Sequence, residues 1–345
     1  MKSISLTLVL TLTIVLTGCS SKPRPRLGSY ATPDVSFHDA SNLGNHNFNS
    51  SLGEAKGMVY TCSGGDIDIA HLRIAADHAY YLYNLTRDGL AKGKTQYTFN
   101  LTIDPTRMRS TIEFPANFNS LSSEMQQQLI DQASLELAQY YTWYLTTWHE
   151  IGTWYGRATF VPGSEFHSAF AWEDSYSNLL GAILGARAIE GAGTAPTKSE
   201  YNKAMTTVLE AELTRLGAIP AKQARAASES MRGKWFTGRV SVAVKMLMRN
   251  LDVGTNDNCI SPALIPNACP TATPFCLAVP NLAKTRAAGF KVTLEVLPDS
   301  LERSKIMPII YGKGNKGPIY AETHLPIIAH RIADEAREKG YSVIE

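Results

Sequence analysis

IDIAHLRIAADHAYYLYNLTRDGL, residues 67–90, is the stretch whose periodicity decides the fold class. At 100° per residue, Ile67, His71, Ile74, His78 and Leu82 share one face, and Ile69, Leu72, Ala76, Ala79 and Tyr83 share the opposite one. Arg73 and Asp77, one turn apart, leave a narrow charged edge. A helix that is apolar on two faces packs against neighbours on both, so the pattern predicts a largely buried helix. The preceding Ser63-Gly64-Gly65 turns the chain, and Asp66 is the expected N-cap.

Working outward, "GMVYTC" (57–62) reads as a short strand, and residues 30–57 as loop. "TQYTFNLTI" and "RSTIEFPANF" flank Asp104-Pro105 and predict a β-hairpin. Ser120 or Ser122 caps a long helix that reaches Tyr155, with Gly152 as a point of weakness. Further helices are expected over 171–191, 199–217, 221–232 and 323–339. "FKVTLEVLP" and "IMPIIYG" read as strands, and "GRVSVAVKMLMRNL" is ambiguous between strand and helix. The sum is a predominantly helical α+β fold with a small antiparallel sheet.

The N-terminus carries an address. Lys2, an apolar stretch over 4–16 and the sequence Leu16-Thr17-Gly18-Cys19 form a secretory signal peptide (residues 1–18) with a lipobox-like ending. That ending resembles those of bacterial lipoproteins and implies lipidation of Cys19. Ser20, in place of Asp, resembles the outer-membrane sorting pattern. Residues 19–29 then read as a lipidated cysteine and solvated tether, and residues 30–345 as a single periplasmic domain. A net charge of +2 leaves no electrostatic footprint for nucleic acid. The expected partners are the membrane, through the lipid, and a cell-wall or envelope-protein component.

Cys62, Cys259, Cys269 and Cys276 remain once Cys19 is set aside, and an even count in an oxidising space predicts disulfides. Three pairings are open. We expect one bridge inside the 252–281 loop and one tying that loop to Cys62.

Chemistry centres on "TTWHEIGTWYGRA" (146–158). His149-Glu150 opens the H-E-x-x-H pattern, in which two histidines one turn apart hold zinc and the glutamate activates water. Thr153 stands where the second histidine belongs. Downstream, Glu173-Asp174 lies at the spacing of the acidic ligand in gluzincin-type proteases, to which this part of the chain bears a partial resemblance. The expectation is therefore a divalent metal such as zinc, or a harder ion, held by His149, Asp174 or Glu173, and His71, with His167 as the substitute for His71. Glu150 would be the catalytic base. Asp68, three positions before His71, would orient that ring or share its ligand. His78 reads as a core histidine. The aromatic run over 140–155 reads as core, not as a sugar platform.

"GMVYTCSGGDIDIAHLR", "WHEIGTWYG" and "SAFAWEDSYSNLLG" together resemble a family of bacterial lipoproteins, the domain of unknown function 4056. The resemblance runs from about Gly57 to Asn250 and implies an envelope lipoprotein, with no cofactor or activity to carry over. Three functions stay open on the residues alone. One is a metal-dependent hydrolase acting on peptide or cell-wall amides. The second is a non-catalytic envelope binding or scaffold protein. The third is a thiol hydrolase or acyltransferase using Cys62 beside a helix N-terminus.

Overall fold

The computed structural model describes residues 22–26, 34–156, 165–238, 245–255 and 257–345. The expected signal peptide and Cys19 lie outside the described residues. Among the described residues, no helix is long and apolar enough to cross a membrane.

A tight hairpin of β1 (Met58–Thr61) and β2 (Gly65–Asp68) feeds directly into α1 (Ile69–Leu90). Asp66 is not the cap, because pairing with β1 keeps the chain extended through Asp68. Asp68 caps the helix instead, accepting from the amides of Ala70 at 2.6 Å and His71 at 3.2 Å. The expected hairpin about Asp104-Pro105 is present as β3 (Gln96–Phe99) and β4 (Arg107–Glu113). In β4, Met108, Ser110 and Ile112 face the core while Arg107, Thr111 and Glu113 face water. The strand Lys291–Leu297 pairs with the other edge of β4, and Ile319–Tyr320 completes a four-stranded antiparallel sheet.

Ser122 caps α2 (Ser123–Trp154), which runs unbroken through Gly152 because the surrounding turns are buried. Among the described residues, the remaining helices are α3 (Asp174–Ala192), α4 (Lys198–Arg215), α5 (Ala221–Glu229), α6 (Ala283–Ala287), α7 (Ser300–Tyr311) and α8 (Ala321–Glu338). Helix accounts for 47% and strand for 15% of the described residues, a helix-dominated α+β fold as the sequence predicts. "IMPIIYG", expected as a strand, is the end of α7. The Asp299 cap on the Glu302 amide starts that helix, and Ile306 and Met307 pack inward despite Pro308. The ambiguous segment is strand where it is described: Lys245–Met246, then Met248–Asn250 paired in parallel with Ser342–Ile344.

α1 packs against both α2 and α3, which accounts for its two apolar faces. The α3 contact is backbone on backbone. A Cβ on Gly181 would lie 2.1 Å from the Leu72 carbonyl oxygen, and one on Gly185 would lie 2.9 Å from the Ala76 Cα. The "charged edge" of α1 is not wet: Arg73 and Asp77 are each only 1% exposed. Arg73 pairs with Glu54, while Asp77 takes Arg26 at 2.8 Å and His46 at 3.0 Å. Residues 22–26, expected to be part of a solvated tether, therefore lie against the body.

The cysteines pair as Cys62–Cys269 and Cys259–Cys276, one bridge inside the loop and one tying it to the β1–β2 hairpin. With Cys62 in a disulfide, the thiol-enzyme expectation fails: the sulfur has no free thiolate to act as nucleophile.

The glycine contact gives a direct test. Gly181→Ala should lower unfolding free energy in urea by about 2–3 kcal/mol, because rigid backbone must move to admit the methyl group. Gly191→Ala, whose added Cβ meets nothing within 4 Å, should be neutral or stabilising by up to about 1 kcal/mol.

Candidate functional site

Three pieces of chain converge where α1, α2 and α3 meet. The β2–α1 junction brings Asp66, Asp68 and His71. The last turns of α2 bring Glu150. The turn that enters α3 brings Trp172, Glu173 and Asp174. His71 Nδ1 lies 3.2 Å from Asp174 Oδ1 and 3.4 Å from Asp68 Oδ2. Burial opposes a charge on this ring, but Asp68, Asp174 and Glu150 together outweigh it and hold its pKa well above the usual range. The side chain keeps 21% of its surface accessible. With Nδ1 directed at carboxylates, Nε2 is the nitrogen left for a ligand or a proton.

The turn before α3 is clamped from four directions. The Phe170 amide donates to Glu150 at 2.9 Å, and the Ala171 amide donates to Asp174 at 2.7 Å. The Trp172 indole N–H donates to Asp66 at 3.0 Å, and the Asn250 amide donates to the Phe170 carbonyl at 2.9 Å. Phe170 itself adopts φ 54°, a left-handed conformation rare for a bulky residue, and these bonds hold it there. Arg249, fully buried, donates to the carbonyls of His167 and Ala169 and lies over the ring of Tyr341.

Acids crowd this volume. Burial first, and the Asp174 charge second, push Glu150 up to about 7 against the pull of His149, His71 and the Phe170 amide. Burial likewise pushes Asp66 up to about 7 despite the Trp172 bond. Glu173 is driven well above its usual range by burial and by Asp174 and Asp68. Both of its oxygens are buried, with no hydrogen-bond partner among the described residues.

His149 is turned differently from the expectation. Its Nδ1 donates to Asp104 Oδ1 at 2.9 Å, so it pairs with the β3–β4 turn instead of with Asp174. The α2 neighbour that reaches the His71 cluster is Glu150, one residue on and 100° around the helix. His167 is exposed, on the short turn Glu165–His167. Among the described residues, no group of three or more His, Cys, Asp or Glu side chains is arranged to hold a metal ion. His78 donates to the Ile74 carbonyl at 2.8 Å, and burial lowers its pKa to about 4, so it is a neutral core histidine as predicted. Trp143, Tyr141 and Tyr140 are buried, in keeping with a core role.

The sequence alone did not reveal Asp104 or Arg249. Asp104 reads locally as a turn residue before proline, and Arg249 as the polar end of an apolar run. Only tertiary pairing gives either a role.

The family model described as "Protein of unknown function (DUF4056)" matches residues 27–266. The chain belongs to this family. No curated protein and no solved structure matches it. The three stretches that carried the family resemblance in sequence are the same three that meet at His71, Glu150 and Asp174.

The electrostatics fix the sign of the pH dependence. Glu150 binds its proton more tightly folded than unfolded, so its contribution to stability is complete below about 4.5 and is lost as pH rises towards about 7. A raised His71 acts in the same direction at higher pH. Urea midpoints should therefore fall between pH 5 and pH 8. Glu150→Gln should remove roughly 3 kcal/mol of that decline, at 1.36 kcal/mol per pH unit.

Proposed function

We propose that this family member is a lipid-anchored envelope protein, held at the outer membrane by Cys19 and facing the periplasm. We read the His71 cluster as the acid–base site of a hydrolase acting on peptide or cell-wall amides. The observation that carries this reading is the imidazole of His71, held by Asp68 and Asp174 through Nδ1 with Nε2 left over. That is the orientation a general acid needs: the carboxylates keep the ring an imidazolium, and Nε2–H is the proton it can give.

In such a reaction Glu150, as the carboxylate it becomes above about pH 7, takes a proton from water as the water oxygen bonds to the amide carbon. The His71 imidazolium gives its Nε2 proton to the leaving nitrogen as the C–N bond breaks, and the proton gained by Glu150 then restores the ring. Buried acids with raised pKa values cost stability, and such groups cluster at functional sites.

Glu173 favours a second version of the same site. A buried carboxylate with no hydrogen-bond partner is what a cation would satisfy, and oxygen-rich donors with one imidazole suit a hard divalent ion. His71, Glu173 and Asp174 are the residues nearest to such a role; as they stand they form no three-residue ligand set, so an ion would have to draw them together, and it would then polarise the amide carbonyl.

The test is release of soluble peptide from purified cell-wall sacculi, followed by mass spectrometry. His71→Gln and Glu150→Gln should each lower the rate by about 10²–10⁴-fold. A metal-free sample that gains stability with zinc or manganese, and loses the gain in Glu173→Gln, selects the metal-assisted version. If no amide substrate is turned over, and the variants change only stability, the protein is a non-catalytic envelope binding or scaffold protein.

A further inference from the structure

The segment that leaves the anchor is fastened to the body. Lys22 Nζ donates to Asn100 at 2.8 Å, and the Arg24 amide donates to Asn49 Oδ1 at 2.8 Å. Thr102 donates to the Pro23 carbonyl. Arg26 then enters the core, with only 5% of its side chain exposed, and pairs with Asp77 and Glu54. These acids are themselves tied to His46 and Arg73, so the strap ends in a buried ionic network. Extracting Arg26 would leave two carboxylates short of a counter-charge in low dielectric, which is a strong reason for it to stay.

Three peptide steps separate Cys19 from Lys22, and three extended residues reach at most about 10 Å. A lipid on Cys19 therefore fixes which side of the body meets the bilayer. That side holds Asn49, Asn100 and Thr102, and beside Asn49 it holds Leu52. Leu52 is 84% exposed, more than the other large apolar side chains described as exposed. It sits at the tip of a turn, with exposed Arg24 and Lys56 nearby along the strap and the same loop. An apolar tip among cations is the composition of a membrane-interfacial contact.

We propose that this face, built from the 22–26 strap, the Leu52 turn and the 100–104 loop, is a membrane-docking surface. It rests on the bilayer that carries the Cys19 lipids. The proposal depends on the lipoprotein reading and adds orientation to it: the body is held against the membrane, not on a free spacer. His149 and its partner Asp104, which adjoins the strap loop, then lie on the membrane-proximal side of the molecule.

The opposite end of α2 supplies the comparison. Met125 is 51% exposed, and it lies 24 residues before His149, about 36 Å along the helix. The lipidated full chain is reconstituted in vesicles of anionic lipid containing brominated acyl chains. Leu52→Cys and Met125→Cys carry the same environment-sensitive fluorophore. The expected result is loss of most emission at position 52, with a blue shift, and unchanged emission at position 125. No quenching at either position, or equal quenching at both, overturns the docking face. Mass spectrometry of the same sample reads the state of Cys19. Absence of acyl groups there overturns the anchoring reading itself, a separate failure.

Discussion

The candidate site depends on how closely α3 can approach α1. The Gly181 Cα sits over the Leu72 carbonyl with no room for a methyl group, and Gly185 sits over Ala76 in the same way. This brings the start of α3 alongside the start of α1, where Asp174 meets His71. Larger residues at the two glycines would hold the helices apart, and the 3.2 Å separation between imidazole and carboxylate could not be kept. The stripe of small residues and the ion pair at its end form one arrangement. Van der Waals contact between backbones sets the distance at which the charges operate.

That contact also explains how so many acids are kept in one place. Asp68 is committed to the α1 amides and Asp174 to the Ala171 amide, while Glu150 accepts from Phe170. Each carboxylate thus serves the backbone as well as the histidine. Removing one perturbs a helix start or the Phe170 turn along with the electrostatics. Glu173 differs: it stands at the cap position of α3 yet makes no capping bond, and its oxygens have no hydrogen-bond partner among the described residues. A group whose burial is repaid by no visible contact is the strongest pointer to a ligand or a proton within this cluster.

Much of the scaffold was legible in the sequence because its signals are local. The two-faced periodicity of α1, the serine cap of α2 and the alternation about Asp104-Pro105 each act within a few residues. The sequence also places Asp174, Asn178, Gly181, Gly185 and Ala188 on one face of α3, small residues that let another backbone approach closely. The failures share a cause. Asp66 lost the cap to Asp68 because strand pairing delayed the helix, and "IMPIIYG" became helix because a distant cap and core packing overrode its branched residues. The partner of His149 was not legible either: Asp104 comes from a loop that no spacing rule connects to it. Arg73 and Asp77 form the narrow charged edge that the periodicity predicts, and their burial was not legible because their partners come from residues 26, 46 and 54.

The family match stops at residue 266, but the folded structure does not divide there. β4 takes its second neighbour from Lys291–Leu297, Met248–Asn250 takes its partner from Ser342–Ile344, and Cys62 is bonded to Cys269. The matched segment alone therefore lacks the strands that close its own sheet edges. Such distant pairings cost loop entropy before they repay it, so assembly should be slow and of high contact order. A nascent chain would leave β4 with a bare edge until the later strand emerged, an interval in which escort by a chaperone would matter most.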